Sequence, residues 1–457
     1  MSIFGQSVKA SQKLSAAQAA DITEVMHGRG MSKSSIEVLR YTIGFALFSA
    51  CTAVPWIMLS TITLPKTLEL MDSAHKIGLL GALNSVGAAV ALVANIVFGA
   101  LSDLTRSRFG KRTPWILGGT AVTAVSFAAA GYCHTVAGVF ALYCCAQVGF
   151  NMLLAPFIAI MSDRVSEKKR GTVSSFYGAG SAVGNTMGTF VGSLMLAKGA
   201  QGLRPSWLLA AAFIVAVGFG ITLFIFPKEE SSVNEPRKQL TVKSLLLTLC
   251  PPRNAPDFYL ALFGRLLMLS GYCMVTTYQL FICQDFILAG RADAQTKALQ
   301  IVSAMAVITL ITALISAAVA GVITDRLNMR KLPVAFASVL FAAGTAIPLF
   351  IHSEIGMYLF AVVAGLGYGV YNAIDQALNI AVLPNKADAG KDLGILNLAN
   401  TMSTVVGSIL TTGVISMVTK FTHSSTTPGA AYVCVFIVSI AVVMVASAII
   451  MRIRSVK

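Results

Sequence analysis

The sequence predicts an all-α membrane protein with twelve transmembrane helices in two pseudo-symmetric six-helix bundles. Three observations lead there. The first is composition: of 457 residues, 56% are apolar and 12% charged, with a mean hydropathy of +0.76, where a soluble domain carries roughly a quarter charged residues. A single soluble core stops growing near ~250–300 residues, and these residues cannot supply the polar surface that several soluble domains would need. The second is that the apolar residues fall into runs of about twenty, enough to cross ~30 Å of hydrocarbon at 1.5 Å per residue. The third is a sequence repeat at about half the chain length.

The elements follow in order. Residues 1–37 are mixed polar, with no short apolar core before a cleavage site, so the first span, 38–63, acts as its own insertion signal. The second, 77–101, ends in "GALSDLTRSRFGKRTP", and the third and fourth are 114–133 and 136–161. The fifth, 173–197, carries Gly180, Gly184, Gly188 and Gly192, a spacing that lets a neighbouring backbone approach closely. The sixth, 205–226, precedes a polar linker, 227–257, with Pro227 and Pro236. The seventh to twelfth spans are 258–284, 298–322, 332–351, 356–383, 394–418 and 429–451, leaving a short tail, 452–457. None alternates apolar and polar residues as membrane β-strands do. The domains are therefore bundles over 38–226 and 258–451, joined by the linker.

The net charge of +15 comes from 34 Lys and Arg against 19 Asp and Glu. Its distribution argues against nucleic-acid binding: the side holding both termini, with Arg40 counted at its lip, carries 26 basic residues and the opposite side 7. By the positive-inside rule both termini and the linker are cytoplasmic, as in a multi-pass protein of the cell membrane. Eight cysteines, mostly in apolar runs, show neither metal-ligand spacing nor a disulfide framework. No Walker-type loop, zinc-binding His pair or Gly-x-Ser-x-Gly elbow appears, so the chain reads as no enzyme and needs no cofactor.

The repeat rests on two matches. "GVITDRLNMRKLP" from Gly321 echoes the link from Gly99, each with an Asp four residues on and a basic cluster behind it, at an offset of 222. "GILNLANTMSTVVG" from Gly394 aligns with "GTVSSFYGAGSAVG" from Gly171 at 223. Two related halves with a polar linker suit a transporter whose halves rock about a midplane site.

The Gly99, Asp103, Arg106, Gly110, Arg112 pattern resembles the signature loop of the major facilitator superfamily, in the form typical of the glycoside-pentoside-hexuronide cation symporters and sucrose-type symporters. The resemblance implies a cytoplasmic gate in which Asp103 faces the positive end of a helix in the other half. Asp325 and Arg326 match in the second half, where the Gly equivalent to Gly110 is missing. The acidic residues that melibiose-type sodium symporters place on helices two and four are absent, helix two offering Asn84 and Asn95, which favours protons over sodium.

An ionised group at the bilayer centre costs ~2.5–3.5 kcal/mol on lenient scales, so such residues are functional candidates. Arg265, seven residues beyond Phe258, and Asp375, eight before Leu383, lie ~10 and ~12 Å from the same face. They are expected to pair, either as a fixed packing element or as a coupling pair that opens when Asp375 takes a proton. Asp285, near the other face, reads as a solvated rim residue. Trp56, Asn84, Gln147, Asn151, Tyr272, Tyr278, Tyr371, Asn372, Gln376, Asn397 and Asn400 supply the amides and rings that a hydroxyl-rich, uncharged cargo needs. Asn151 and Asn372 differ by 221, close to the repeat offset. The expected activity is secondary transport of a small molecule, a sugar or glycoside, with protons; the alternatives are proton-coupled export of a drug-like or cellular metabolite, and a sensor on the same fold.

Overall fold

The structure, a computed structural model, describes residues 35–165, 167–197, 199–229, 231–233, 252, 255–327, 331–383, 389–423 and 427–454. Nearly all of the predicted N-terminal segment and most of the linker lie outside these residues. Among them every regular element is helical. Helix α1 runs Ser35–Ile57, passes through a π-helical turn at Met58–Thr63 and continues as Leu64–Met71. Then follow α2 (Lys76–Leu104), α3 (Thr113–Ala130), α4 (Val136–Arg164), α5 (Glu167–Leu196) and α6 (Leu203–Gly220, extended by Ile221–Ile225). The second half repeats the set. Helix α7 is Pro256–Thr276 with an outer piece, Gln279–Phe281 and Ile282–Ile287; α8 is Ala294–Leu327, α9 Lys331–Phe350, α10 Glu354–Ala381, α11 Ala389–Phe421 and α12 Gly429–Met451.

Eleven of the described helices are long and apolar enough to cross a membrane. The exception is α5, whose glycines, serines and threonines dilute its apolar content although its 30 residues would reach ~45 Å. Its glycines explain the composition. A Cβ on Gly180, Gly184 or Gly188 would run into the main-chain carbonyl oxygens of Ala46, Ala50 and Val54, so α5 and the α1 backbone touch along three successive turns. Gly407, matched to Gly184 by the repeat, does the same on α11: a Cβ there would meet the Ser270 carbonyl oxygen of α7.

The packing is two-fold throughout. In the first half α1 lies on α5 and α6, α4 on α2 and α3, and α3 on α6. In the second, α7 lies on α11 and α12, α10 on α8 and α9, and α9 on α12. The halves meet through α2 on α11 and α5 on α8, which the same symmetry exchanges. Large apolar side chains also stand exposed on the outside, Phe224, Val125 and Phe336 among them. Lipid is the solvent that makes such exposure cheap.

The π-helical turns in α1 and in α7 stand 224 residues apart, close to the repeat offset. A π turn adds one residue to a helical turn and re-aims everything beyond it. Both lie toward the face opposite the termini.

Candidate functional site

Between the halves lies a cavity of about 1080 Å³. Of the residues proposed from sequence, Trp56, Asn84, Gln147, Asn151, Arg265, Tyr272, Asn372, Asp375 and Asn400 line it. Helices α4 and α10 present Asn151 and Asn372 from opposite halves, at a separation close to the repeat offset. Tyr278 and Tyr371, both 1% exposed, lie in the hydrophobic core and not on the wall. Gln376 and Asn397 stand on described helix backbone, and their side chains lie outside the described ones.

The first-half wall is an amide and aromatic surface. Asn95 Nδ2 donates to Asn151 Oδ1 at 3.2 Å, Asn151 Nδ2 to the Gln147 carbonyl at 2.9 Å, and Gln147 Nε2 to the Tyr143 hydroxyl at 3.3 Å. Asn84 Nδ2 is buried and finds no hydrogen-bond partner among the described residues, an unsatisfied donor on a cavity wall. The Trp56 ring stacks on Phe150 at 4.7 Å and on Tyr143 at 6.0 Å. Across the cavity Tyr272 and Tyr368 stack at 4.3 Å. Tyr143, Tyr177, Asn185, Thr189, Tyr368 and Thr404 also line the wall and were missed in the sequence. Hydroxyls and rings of this kind fill every span, and only the fold shows which ones face inward.

At the end of the cavity nearer the termini, Arg265 Nη1 stands 2.8 Å from Asp375 Oδ2, and the side chains are 5% and 7% exposed. Arg265 Nε and Nη2 also donate to Asn400 Oδ1 at 3.2 and 3.0 Å, and Asn379 Nδ2 donates to Asp375 Oδ2 at 3.0 Å. The amides satisfy lone pairs and protons that the ion pair leaves over, a condition for keeping two charges out of water.

The signature loop forms a second polar cluster on the termini face. Arg112, 4% exposed, reaches Asp163 on α4 at 2.9 Å and also holds Asp103 and Ser102 on α2. Arg106 Nη1 donates to the carbonyls of Asp103 and Thr105. Asp103 is thus paired within its own half, where the resemblance implied a contact across to the other. Asp325 and Arg326 lie on described helix backbone, their side chains outside the described ones. Sequence reasoning missed Glu229 of the linker, which accepts from the backbone N–H groups of Arg112 and Thr113 and from the Thr113 hydroxyl, capping α3. Gly110 has φ of 87°, and a Cβ there would strike the Glu229 side chain.

A third cluster lies at the face opposite the termini. Glu69 accepts from Lys66 at 2.5 Å, Lys76 at 2.9 Å and, across the halves, Gln284 Nε2 at 2.7 Å. Lys76 also pairs with Asp285 at 2.7 Å. Asp285 is therefore no solvated rim residue: its side chain is 21% exposed and also accepts from the Tyr432 hydroxyl at 2.9 Å.

Two six-helix halves, a shared cavity and this loop geometry are what a sequence comparison then meets. The family model of the Major Facilitator Superfamily matches residues 41–290 and 266–456. The chain belongs to the major facilitator superfamily. Among solved structures it is similar to the nucleoside transporter NupG, with a TM-score of 0.65 and 14% identity over 90% of this chain and 98% of that one. It is also similar to a bacterial homologue of the human lysosomal transporter Spinster in an inward-facing, occupied conformation, at 0.60 and 13% over 91% and 95%. No curated protein sequence matches. As a major facilitator protein the chain is a transporter with a small-molecule cargo, and its place is in a membrane.

Proposed function

We propose that this transporter carries a sugar or glycoside across the cell membrane by alternating access, in symport with protons, with both termini cytoplasmic. What supports the cargo is the cavity's inventory: neutral amides, hydroxyls and aromatic faces from both halves, with Arg265 and Asp375 as its charged lining residues. Amides donate and accept in pairs, as vicinal hydroxyls do, and the Asn84 amide awaits an acceptor. The proton enters at Asp375. A proton there cancels its charge, frees the Arg265 guanidinium from its counter-ion and alters the contact between α7 and α10. The 26-to-7 bias of basic residues supports the orientation. The bundles over 38–226 and 258–451 are the rocking units, with Asp103, Arg106, Gly110 and Arg112, and Asp325 and Arg326 opposite, holding the cytoplasmic gate.

A second reading has its own observation. The stacked pairs Trp56–Phe150 and Tyr272–Tyr368 offer flat apolar faces that suit a planar ring, as in a nucleoside or a drug-like molecule, and export would follow the same route reversed. Uptake of labelled mono- and disaccharides and nucleosides into vesicles, with and without a proton gradient, separates them. Gradient-driven accumulation of a saccharide is expected; accumulation of nucleosides alone would replace the sugar reading. In Asp375→Asn, uptake should lose its dependence on the gradient while downhill exchange persists, and unchanged gradient dependence would leave the pair a packing element only.

A further inference from the structure

We infer that Lys66, Glu69 and Lys76 of the first half, with Gln284 and Asp285 of the second, form a charge latch. It keeps the cavity shut on the face opposite the termini. Two of its contacts cross between the halves, Lys76 to Asp285 at 2.7 Å and Gln284 to Glu69 at 2.7 Å. The charged members balance, two ammonium groups against two carboxylates. They are also withdrawn from water: Lys66, Lys76 and Glu69 side chains are 8–10% exposed. Lys76 further lies over the Phe281 ring at 4.7 Å, an apolar cover on the cation.

Exposed pairs of this sort contribute little, but these groups are withdrawn from water, and deleting one member while the face stays shut leaves its partner's charge buried and unpaired. Its members sit at or just beyond the π turns of the two halves. Lys66 and Glu69 follow the π turn of α1, and Gln284 and Asp285 lie within the π turn of α7. Below the latch, α2 and α11 touch, with Gly81 facing Thr412, so the seal continues from charge to close packing. When the halves part on this face, Lys76 and Glu69 stay together on one side and lose Asp285 and Gln284. The four charges then regain water, and the opened state is stabilised by hydration in place of pairing.

The test does not depend on the cargo, so it stands or falls apart from the sugar reading. Thr61 lines the cavity. In Thr61→Cys, a membrane-impermeant maleimide applied to the face opposite the termini should label slowly, with the unsubstituted chain as background for the native thiols. Adding Lys76→Met should raise that rate about tenfold or more, as the loss of one partner of a buried pair requires, and Lys76→Arg should keep it low. Asp285→Asn, which keeps a hydrogen bond for Tyr432, gives the same reading if Lys76→Met fails to accumulate. Labelling that is unchanged in Lys76→Met or Asp285→Asn, or equally fast in Lys76→Arg, overturns the latch.

Discussion

Gly110 and Glu229 decide the shape of the signature loop between them. A φ of 87° is disfavoured for any residue with a Cβ, by ~1–2 kcal/mol, and the space beside Gly110 is already taken by Glu229. Gly110→Ala should therefore destabilise the first half by at least that amount, read as a lower melting temperature in detergent. Glu229→Gln keeps its hydrogen bonds to α3 but loses the charge facing the helix end, and should cost ~0.3–1 kcal/mol in the same measurement. The basic cluster and the glycine were legible as a motif. Glu229 was not, because nothing local in "FPKEESS" says which carboxylate folds back over a hundred residues to α3. Asp285 was misread for a related reason. Distance from a helix end suggests solvent, but Lys76 from the other half had already claimed that space.

The length of the apolar runs was the most legible feature at the scale of helices, and the boundaries were the least. The first span was read as 38–63 and the helix runs on to Met71, because Lys66 and Glu69 neutralise each other where single charges would have ended an apolar run. The Gly180 to Gly192 ladder announced a close neighbour without naming it. Its partner is the carbonyl row of α1, spaced by the same four residues. Gly184→Val should force the two helices apart, at the ~1–3 kcal/mol of overpacking, seen as reduced accumulation in the membrane and a lower melting temperature. Gly178, with no atom near its absent Cβ, should accept Ala without such an effect.

Symmetry in the whole molecule was visible as two offsets, and it reappears as matched helix contacts within and between the halves. One departure from symmetry lies at the buried ion pair of Arg265 and Asp375. The register that pairs Asn151 with Asn372 places Leu154 opposite Asp375, and Leu154 packs, partly buried, against the apolar cluster that contains Phe45 and Phe157. The first half thus has an apolar residue where the second holds the carboxylate that pairs with Arg265. A disulfide between Gly81→Cys and Thr412→Cys should join the halves on the face opposite the termini and abolish transport, and reductant should restore it. Transport that survives full cross-linking would mean that the halves do not part there.

The low apolar content of α5 also bears on how the chain is made. A segment rich in glycine, serine and threonine gains little from lipid alone, so its insertion depends on a partner already in place. That partner, α1, is synthesised 125 residues before α5 ends, some ~6–25 s at ribosomal speed. In that interval the α1 backbone at Ala46, Ala50 and Val54 lacks the glycine face that covers it in the folded chain. The contact between α1 and α5 is thus available only once most of the first bundle has been made.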